Sequence, residues 1–261
     1  MKSILKQNEN SWNAIADDFF GVTALPQLGV SIPTEDELHL FPELNGKSVF
    51  EMGCGSGHSL KWCAEKGATE LHGLDISMHQ LDNARTLLSE HGIPCTLYHQ
   101  PMEDNTGIPT NYFDIVYSIY AIGWTTDLKK TISNAASYLK KGGTYIFSWD
   151  HPLLHCIALE SIMISENNRT SKTDQRMFFN GNYLSEDYYS FEKKGYLLSL
   201  QNRKMSTYIN ALAEAGFAIE KVIEETSSEI LNKTDPSICG YYADYKAKHF
   251  PLSVVFKARK L

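Results

Sequence analysis

The sequence lacks the features that mark several classes of protein. Its 261 residues include only five cysteines, and no two of them stand in a C-x-x-C spacing. Since an odd number leaves at least one thiol without a partner, we expect buried free thiols in a reducing compartment rather than a disulfide framework. The sequence has no apolar run of about 18 residues and no long apolar segment near its start, so neither a transmembrane helix nor a secretory signal is predicted. These absences favour a cytoplasmic protein.

An excess of positive charge is also missing. The chain carries 24 basic and 31 acidic residues, which gives a formal net charge of −7. A nucleic-acid surface or a polybasic membrane patch needs clustered Lys and Arg, so neither kind of partner is expected. Apolar residues make up 43% of the chain. A chain of this length buries about three quarters of its unfolded surface without help from disulfides or metals. We therefore expect a globular enzyme or binding protein.

From about residue 47 onward, short apolar segments alternate with helical patterns. Five of these segments are predicted to be strands, at 48–52, 70–75, 95–98, 113–118 and 144–149. Alternation of strands and helices predicts βαβ units, a parallel sheet and right-handed crossovers. Two later segments predict a sixth and a last strand, at 217–225 and 252–258.

Helical periodicity fills the gaps between these strands. Ser77 is expected to begin one helix, with Gln80 three residues later as in a capping box, and Gly92 to end it. The apolar face of this helix is predicted to include Met78. Another helix runs from about Thr126 and is expected to stop at the glycine pair 142–143. Residues 1–45 are expected to form helical turns packed ahead of the sheet.

The stretch at 151–203 breaks this rhythm. At about 50 residues it is far longer than a plain connection in a compact domain. Because it mixes polar with many aromatic residues, we interpret it as an insertion that covers a site. The predicted organisation is a helical cap at 1–45, a core at 46–150, this aromatic-rich substrate lid at 151–203, and a C-terminal completion of the core at 204–261.

A glycine cluster follows the first predicted strand directly, as Glu51-Met-Gly53-Cys-Gly55-Ser-Gly57. Glycines permit a tight turn and close approach of a ligand, and doubly wound sheets bind ligands at the carboxyl ends of their strands. The spacing G-x-G-x-G differs from the dinucleotide fingerprint G-x-G-x-x-G. The acid at Glu51 would repel a pyrophosphate but suits a ligand with an ammonium or sulfonium group. Asp75 ends the second strand, where a carboxylate can accept both hydroxyls of a ribose.

These segments resemble the motifs of class I S-adenosylmethionine-dependent methyltransferases. The segment at 49–57 is similar to the first motif of that family, and the segment at 73–77 to the second. Further similarities lie at 12–18, 113–118, 139–143 and 211–217. Residues 148–152 resemble a serine–x–acid–His–Pro run of one bacterial subgroup, of the small-molecule, type 11 kind. The resemblance covers about residues 45–150 and 204–261.

The resemblance implies an α/β fold: a Rossmann-like, doubly wound sheet of seven strands, mostly parallel with an antiparallel last strand, and helices on both faces. It also implies S-adenosylmethionine as cofactor. Glu51 and the glycines would face its methionine part, Asp75 its ribose, and residues 102–103 its adenine, although Pro101 stands where many members have an acid. The implied cofactor-binding residues are Glu51, Gly53, Gly55, Gly57, Asp75, Ile76, Met102, Glu103, Ser118 and Tyr120.

The residues after the fourth and fifth predicted strands limit the kinds of methyltransferase that this chain can be. The segment at 118–121 lacks both the Asn/Asp-Pro-Pro-aromatic tetrad of nucleic-acid amine methylases and the Pro-Cys of cytosine-C5 enzymes. Paired carboxylates for a metal are missing there too, so no metal is expected. His151 directly follows the fifth strand, and Pro152 restricts its backbone to an extended form. It is the candidate catalytic base, because imidazole titrates near neutrality.

We therefore expect a cytoplasmic methyltransferase that uses S-adenosylmethionine and acts on a small molecule, with neither nucleic acid nor membrane as partner. Two alternatives stay open: a non-catalytic module that binds S-adenosylmethionine, and an NAD-dependent oxidoreductase, which the glycine spacing disfavours. The methyl acceptor, the methylated atom and the oligomeric state are left open by the sequence.

Overall fold

The structure is a computed structural model that describes residues 2–166 and 170–261. Its strands are β1 (Ser48–Met52), β2 (Glu70–Asp75), β3 (Thr96–His99), β4 (Phe113–Ser118), β5 (Leu139–Asp150), β6 (Ile157–Glu166), β7 (Thr170–Phe179), β8 (Tyr188–Lys193), β9 (Tyr196–Gln201), β10 (Phe217–Ile223) and β11 (Ser253–Lys260). Its helices are α1 (Lys2–Ile15), α2 (Glu35–Leu38), α3 (His58–Glu65), α4 (Met78–Glu90), α5 (Leu128–Tyr138), α6 (Met205–Glu214), α7 (Ser228–Asn232) and α8 (Asp244–Ala247). Among the described residues, no helix is long and apolar enough to cross a membrane.

A seven-stranded sheet with the order β10-β11-β5-β4-β1-β2-β3 forms the centre of the molecule. The pairs β1–β2, β1–β4, β2–β3 and β4–β5 are parallel. The last strand, β11, is inserted antiparallel between β5 and β10. This confirms the predicted fold class: a doubly wound sheet that is mostly parallel and has an antiparallel last strand.

Both faces of the sheet are covered, which explains why its central strands are apolar without a gap. Every residue of β1 is buried. Successive side chains point to opposite faces, so Phe50 packs in the core under α5 and α6 while Val49 packs in the core under α3 and α4. With helices holding both faces, the carboxyl ends of β1, β2, β4 and β5 are left to form a site.

Helices α4 and α5 differ in detail from the sequence-based expectation. At the start of α4, the Ser77 hydroxyl accepts the backbone N–H of Gln80 at 3.2 Å, as predicted, but the Gln80 side chain does not return to Ser77. The Ser77 N–H instead donates to Asp75 at 2.8 Å. Met78, predicted to be on the apolar face, is 39% exposed. Helix α5 stops at Tyr138, before the glycine pair, because the chain already enters β5 at the next residue.

The N-terminal segment and the insertion meet above the sheet. A 3-10 helix at Ala16–Phe19 follows α1 directly, and residues 20–34 then form turns and irregular segments up to α2. The insertion folds as two antiparallel hairpins, β6–β7 and β8–β9. The Asn8 side chain of α1 binds Ser199 of β9 through both backbone groups, at 2.8 and 2.9 Å, and Ser11 donates to the carbonyl of Leu197 at 2.7 Å. Helix α1 is thereby fixed to the second hairpin.

Candidate active site

A cavity of about 800 Å³ opens at the carboxyl ends of the central strands. Its floor includes Glu51, Gly53, Gly55, Asp75, Tyr120 and Asp150. We call α1 and the hairpin β8–β9 its roof, which contributes Leu5, Asn8, Trp12, Tyr189, Phe191, Lys193, Leu198 and Leu200. None of the described side chains of β6–β7 lines the cavity. The volume is in the range of small-molecule and cofactor sites.

The three glycines of the turn after β1 have different structural roles. All three have positive φ, at 79° for Gly53, 48° for Gly55 and 79° for Gly57. A Cβ on Gly53 would lie 2.4 Å from Ala121, so this glycine is required by protein packing. A Cβ on Gly55 would meet nothing closer than 3.8 Å, because this glycine faces the cavity. Gly57 begins α3 outside the cavity, with Ala84 at 3.1 Å from its Cβ position.

Asp75 closes this turn from the end of β2. One carboxylate oxygen accepts the backbone N–H of Gly55 at 2.9 Å, and the other accepts that of Ser77 at 2.8 Å. Burial raises the pKa of Asp75, while these backbone hydrogen bonds act in the opposite direction. Each oxygen keeps a second lone pair that can face the cavity. The side chain can therefore hold the glycine turn and accept ligand hydroxyls together.

Glu51 is a buried carboxylate at the base of the same turn, only 2% exposed. The Tyr117 hydroxyl donates to it at 3.4 Å. Burial raises the pKa of Glu51 well above its usual range, and the negative charge of Asp75 adds to this effect. A positively charged ligand group in the cavity would lower the pKa again, because it favours the ionised form.

Three further residues predicted for the cofactor, Ile76, Met102 and Glu103, line the cavity near β3. The carbonyl of Ile76 accepts a hydrogen bond from Nε2 of His99 at 2.9 Å. Glu103 accepts the hydroxyl of Thr126 at 2.9 Å and the N–H of Asp127 at 3.2 Å, so its carboxylate holds the start of α5. The buried Met102 completes this wall of the cavity.

Eight of the ten residues predicted for the cofactor line the cavity: Glu51, Gly53, Gly55, Asp75, Ile76, Met102, Glu103 and Tyr120. Gly57 and Ser118 do not. Ser118 is fully buried, and its hydroxyl has no hydrogen-bond partner within the part of the chain that the structure describes. The cofactor roles of these residues stay predictions.

His151, the predicted base, lies outside the cavity and is 5% exposed. Its Nδ1 accepts the backbone N–H of Leu153 at 3.2 Å, so the ring proton is on Nε2, which donates to Glu224 at 2.7 Å. Burial lowers the pKa of His151. Because both nitrogens of this neutral imidazole are already engaged within the protein, the geometry favours a structural role for His151 over the predicted catalytic one.

Asp150, the residue before it, faces the cavity instead. Its carboxylate accepts the hydroxyl of Tyr120 at 2.7 Å and that of Tyr242 at 2.9 Å. Tyr241 also hydrogen-bonds to it. Burial raises the pKa of Asp150 to about 6 although all three hydroxyls favour the charged form. Tyr120 reaches this position with a left-handed backbone, φ 53°, the kind of strain found at functional sites.

Sequence reasoning missed this cluster around Asp150. Tyr241 and Tyr242 are 91 and 92 residues further along the chain and were assigned no role. The only local signal was an aromatic pair inside the polar segment between α7 and α8.

Comparisons with known proteins agree with this geometry. Residues 50–147 match the family model described as a methyltransferase domain, of type 11. A Haemophilus influenzae protein described as uncharacterized is 29% identical over 232 residues, which cover 86% of this chain and 85% of that one. A solved S-adenosylmethionine-dependent methyltransferase from Mesorhizobium loti has a TM-score of 0.62 and 26% identity, over 85% of this chain and 95% of that one.

Residues 50–147 therefore form a methyltransferase domain of the type 11 family, and the chain has the fold of a solved S-adenosylmethionine-dependent methyltransferase. A ubiquinone biosynthesis O-methyltransferase from Vibrio parahaemolyticus is 31% identical, but the match covers 40% of this chain and only 44% of that relative's length.

The methyltransferase cavity has one further feature that suits its cofactor. The side-chain oxygen of Gln80 is buried without a hydrogen-bond partner among the described residues, and Gln80 lines the cavity beside Gly55. An orphaned buried acceptor is costly unless a ligand supplies a donor. S-adenosylmethionine has an ammonium group and ribose hydroxyls that can do so, beside the carboxylates of Glu51 and Asp75. The residues at this end of the cavity therefore fit the cofactor.

Proposed function

We propose that this methyltransferase acts on a small molecule held between the β4–β5 end of the sheet and the roof. The observation that carries the proposal is one continuous cavity lined by both Asp75 and Asp150. These residues end β2 and β5, which are separated in the sheet by β1 and β4. Because neighbouring strands lie about 4.8 Å apart, the cavity spans roughly 14 Å, enough for a cofactor and a second ligand side by side.

The roof supports a small acceptor over a macromolecular one. It covers the cavity along α1 and β8–β9, and hydrogen bonds from Asn8 and Ser11 tie its two parts together. Lys194, between β8 and β9, forms a further ion pair with Asp18 at 2.6 Å. A folded protein or a nucleic-acid strand would have to displace these contacts.

The chain's own residues would supply alignment and a dry site. When bound, S-adenosylmethionine supplies a methyl group on a sulfonium sulfur, which leaves readily as a neutral thioether. Asp75 would hold the ribose, and Glu51 would face the positive methionine part. The roof would exclude water, and the floor near Asp150 would fix the acceptor. Alignment of reactants alone supplies up to about 7–11 kcal/mol in favourable cases.

The test incubates the purified protein with methyl-labelled S-adenosylmethionine and three separate fractions of a cell extract: small molecules, proteins and nucleic acids. We expect label in the small-molecule fraction, and loss of that label with Asp75→Ala. Label that enters the protein or nucleic-acid fraction would contradict the proposal. Binding of S-adenosylhomocysteine without label in any fraction would favour the non-catalytic module instead.

A further inference from the structure

The carboxylate of Asp150 has no cationic partner. Its hydrogen bonds come from three tyrosine hydroxyls, and no Lys, Arg or His among the described residues forms an ion pair with it. The Tyr242 hydroxyl lies within reach of both oxygens, at 2.9 and 3.2 Å, but it has a single proton to donate. A carboxylate offers about four lone-pair positions, so three hydroxyl protons leave one position for a ligand. Buried charges in proteins are ordinarily paired. The open position therefore suits a positive group brought by a ligand.

Aromatic rings surround the same part of the cavity. Trp149 lies 5.5 Å from Tyr120 and 5.9 Å from Trp124, between ring centroids. Trp12 and Phe191 of the roof lie 5.0 and 6.4 Å from Trp124. The faces of such rings attract organic cations.

No basic side chain that lines the cavity is paired with Asp150 among the described residues. Lys193 is the one Lys or Arg among the described lining residues, and its ammonium lies over the ring of Phe19 at 4.0 Å. Burial lowers the pKa of His58, which favours its neutral form. Arg203 and His155 line a smaller adjoining pocket together with Asp150, but neither lines this cavity. Within the cavity, an acceptor carboxylate or phosphate would therefore meet the like charge of Asp150.

We propose that the acceptor carries a protonated amine on an apolar body, and that Asp150 binds this ammonium group. The inference rests on the proposed small-molecule methyltransferase function and deepens it. Asp150 ends β5, two strands away from the glycine turn after β1. At about 4.8 Å per strand it lies roughly 10 Å from the turn, so its partner is the acceptor and not the cofactor.

The test compares three probes that share one phenyl ring and one two-carbon chain: 2-phenylethylamine, 2-phenylethanol and 3-phenylpropionate. Each is titrated at pH 7.5 into protein saturated with S-adenosylhomocysteine, and binding is followed by ligand-observed NMR. We expect the ammonium probe to bind at least about tenfold more tightly than the other two, equivalent to about 1.4 kcal/mol. Asp150→Asn should reduce this preference to less than about twofold.

The matched control is Glu224→Gln, which removes a carboxylate that bonds with His151 and does not line the cavity. This variant should keep the preference for the ammonium probe. Stronger binding of the alcohol or the carboxylate, or a preference that survives Asp150→Asn, would overturn the proposal. So would the absence of binding by all three probes at about 10 mM. The methyl-transfer assay with labelled S-adenosylmethionine and the three extract fractions tests the proposed function separately, because its outcome does not depend on which of these probes binds.

Discussion

Replacing Asp75 with alanine tests both roles that the structure gives to this residue. The variant loses the acceptors for the backbone N–H groups of Gly55 and Ser77, at 2.9 and 2.8 Å. It also loses the acceptors proposed for the ribose. A hydrogen bond to a charged group contributes about 1.5–3 kcal/mol. Burial raises the pKa of Asp75, so desolvation offsets part of this contribution.

The expected result is a weaker complex with S-adenosylhomocysteine, by about 1.5–3 kcal/mol, or roughly 10- to 150-fold in dissociation constant. Isothermal titration calorimetry measures this directly. The melting temperature of the unliganded variant should also fall by several degrees, since about 1 kcal/mol shifts it by roughly 2–4 °C in a domain of this size. Calorimetry is therefore run well below the new melting temperature.

Asp114 provides a matched control at the opposite end of the sheet. It accepts the N–H and the hydroxyl of Ser48 at 3.0 and 2.9 Å, so it too binds the backbone of β1, but far from the cavity. Asp114→Ala should lower the melting temperature without changing the affinity for S-adenosylhomocysteine. Equal losses of affinity in both variants would refute the assignment of Asp75 as a ligand-binding residue.

Three further predictions follow from the same geometry. Gly55→Val should abolish S-adenosylhomocysteine binding in a folded protein, because φ of 48° is strained for a branched residue; calorimetry that shows unaltered affinity would contradict this. His151→Ala should lower the melting temperature by leaving Glu224 without its partner, with turnover nearly unchanged; a loss of about 100- to 10,000-fold would instead establish the predicted base. Binding of 2-phenylethylamine should weaken as pH falls below about 6, because Asp150 then becomes protonated and neutral, and Asp150→Asn should remove this pH dependence.

The cofactor end of the cavity was predictable because its parts are close in sequence. Gly55 follows β1 within three residues, and Asp75 ends the next strand of the same βαβ unit. In a parallel sheet the carboxyl ends of neighbouring strands lie together, so local periodicity was enough to bring these residues into one place. The same argument located the end of β5, but it did not settle which side chain there faces the cavity.

The choice between Asp150 and His151 depended on contacts that the sequence does not display. Successive residues of an extended segment point in different directions, so Asp150 and His151 are expected to have different surroundings, but the alternation does not say which of them faces the cavity. The hydroxyl of Tyr242, 92 residues away, binds Asp150, whereas Glu224, 73 residues away, binds His151. Both partners come from segments placed by the insertion of β11 beside β5. The roof likewise depends on a contact between distant parts of the chain, since Asn8 binds a residue 191 positions later.

Only part of the cavity lies within the family match, so the match gives little information about the methyl acceptor. The family match ends at residue 147 and so contains the glycine turn, Asp75 and Tyr120, but not Asp150. The roof and the pair Tyr241 and Tyr242 lie outside it as well. A methyltransferase core must hold the same cofactor whatever it methylates, so likeness there is compatible with many acceptors. If the proposal is correct, the acceptor is instead selected by residues beyond the match, chiefly Asp150 and the roof.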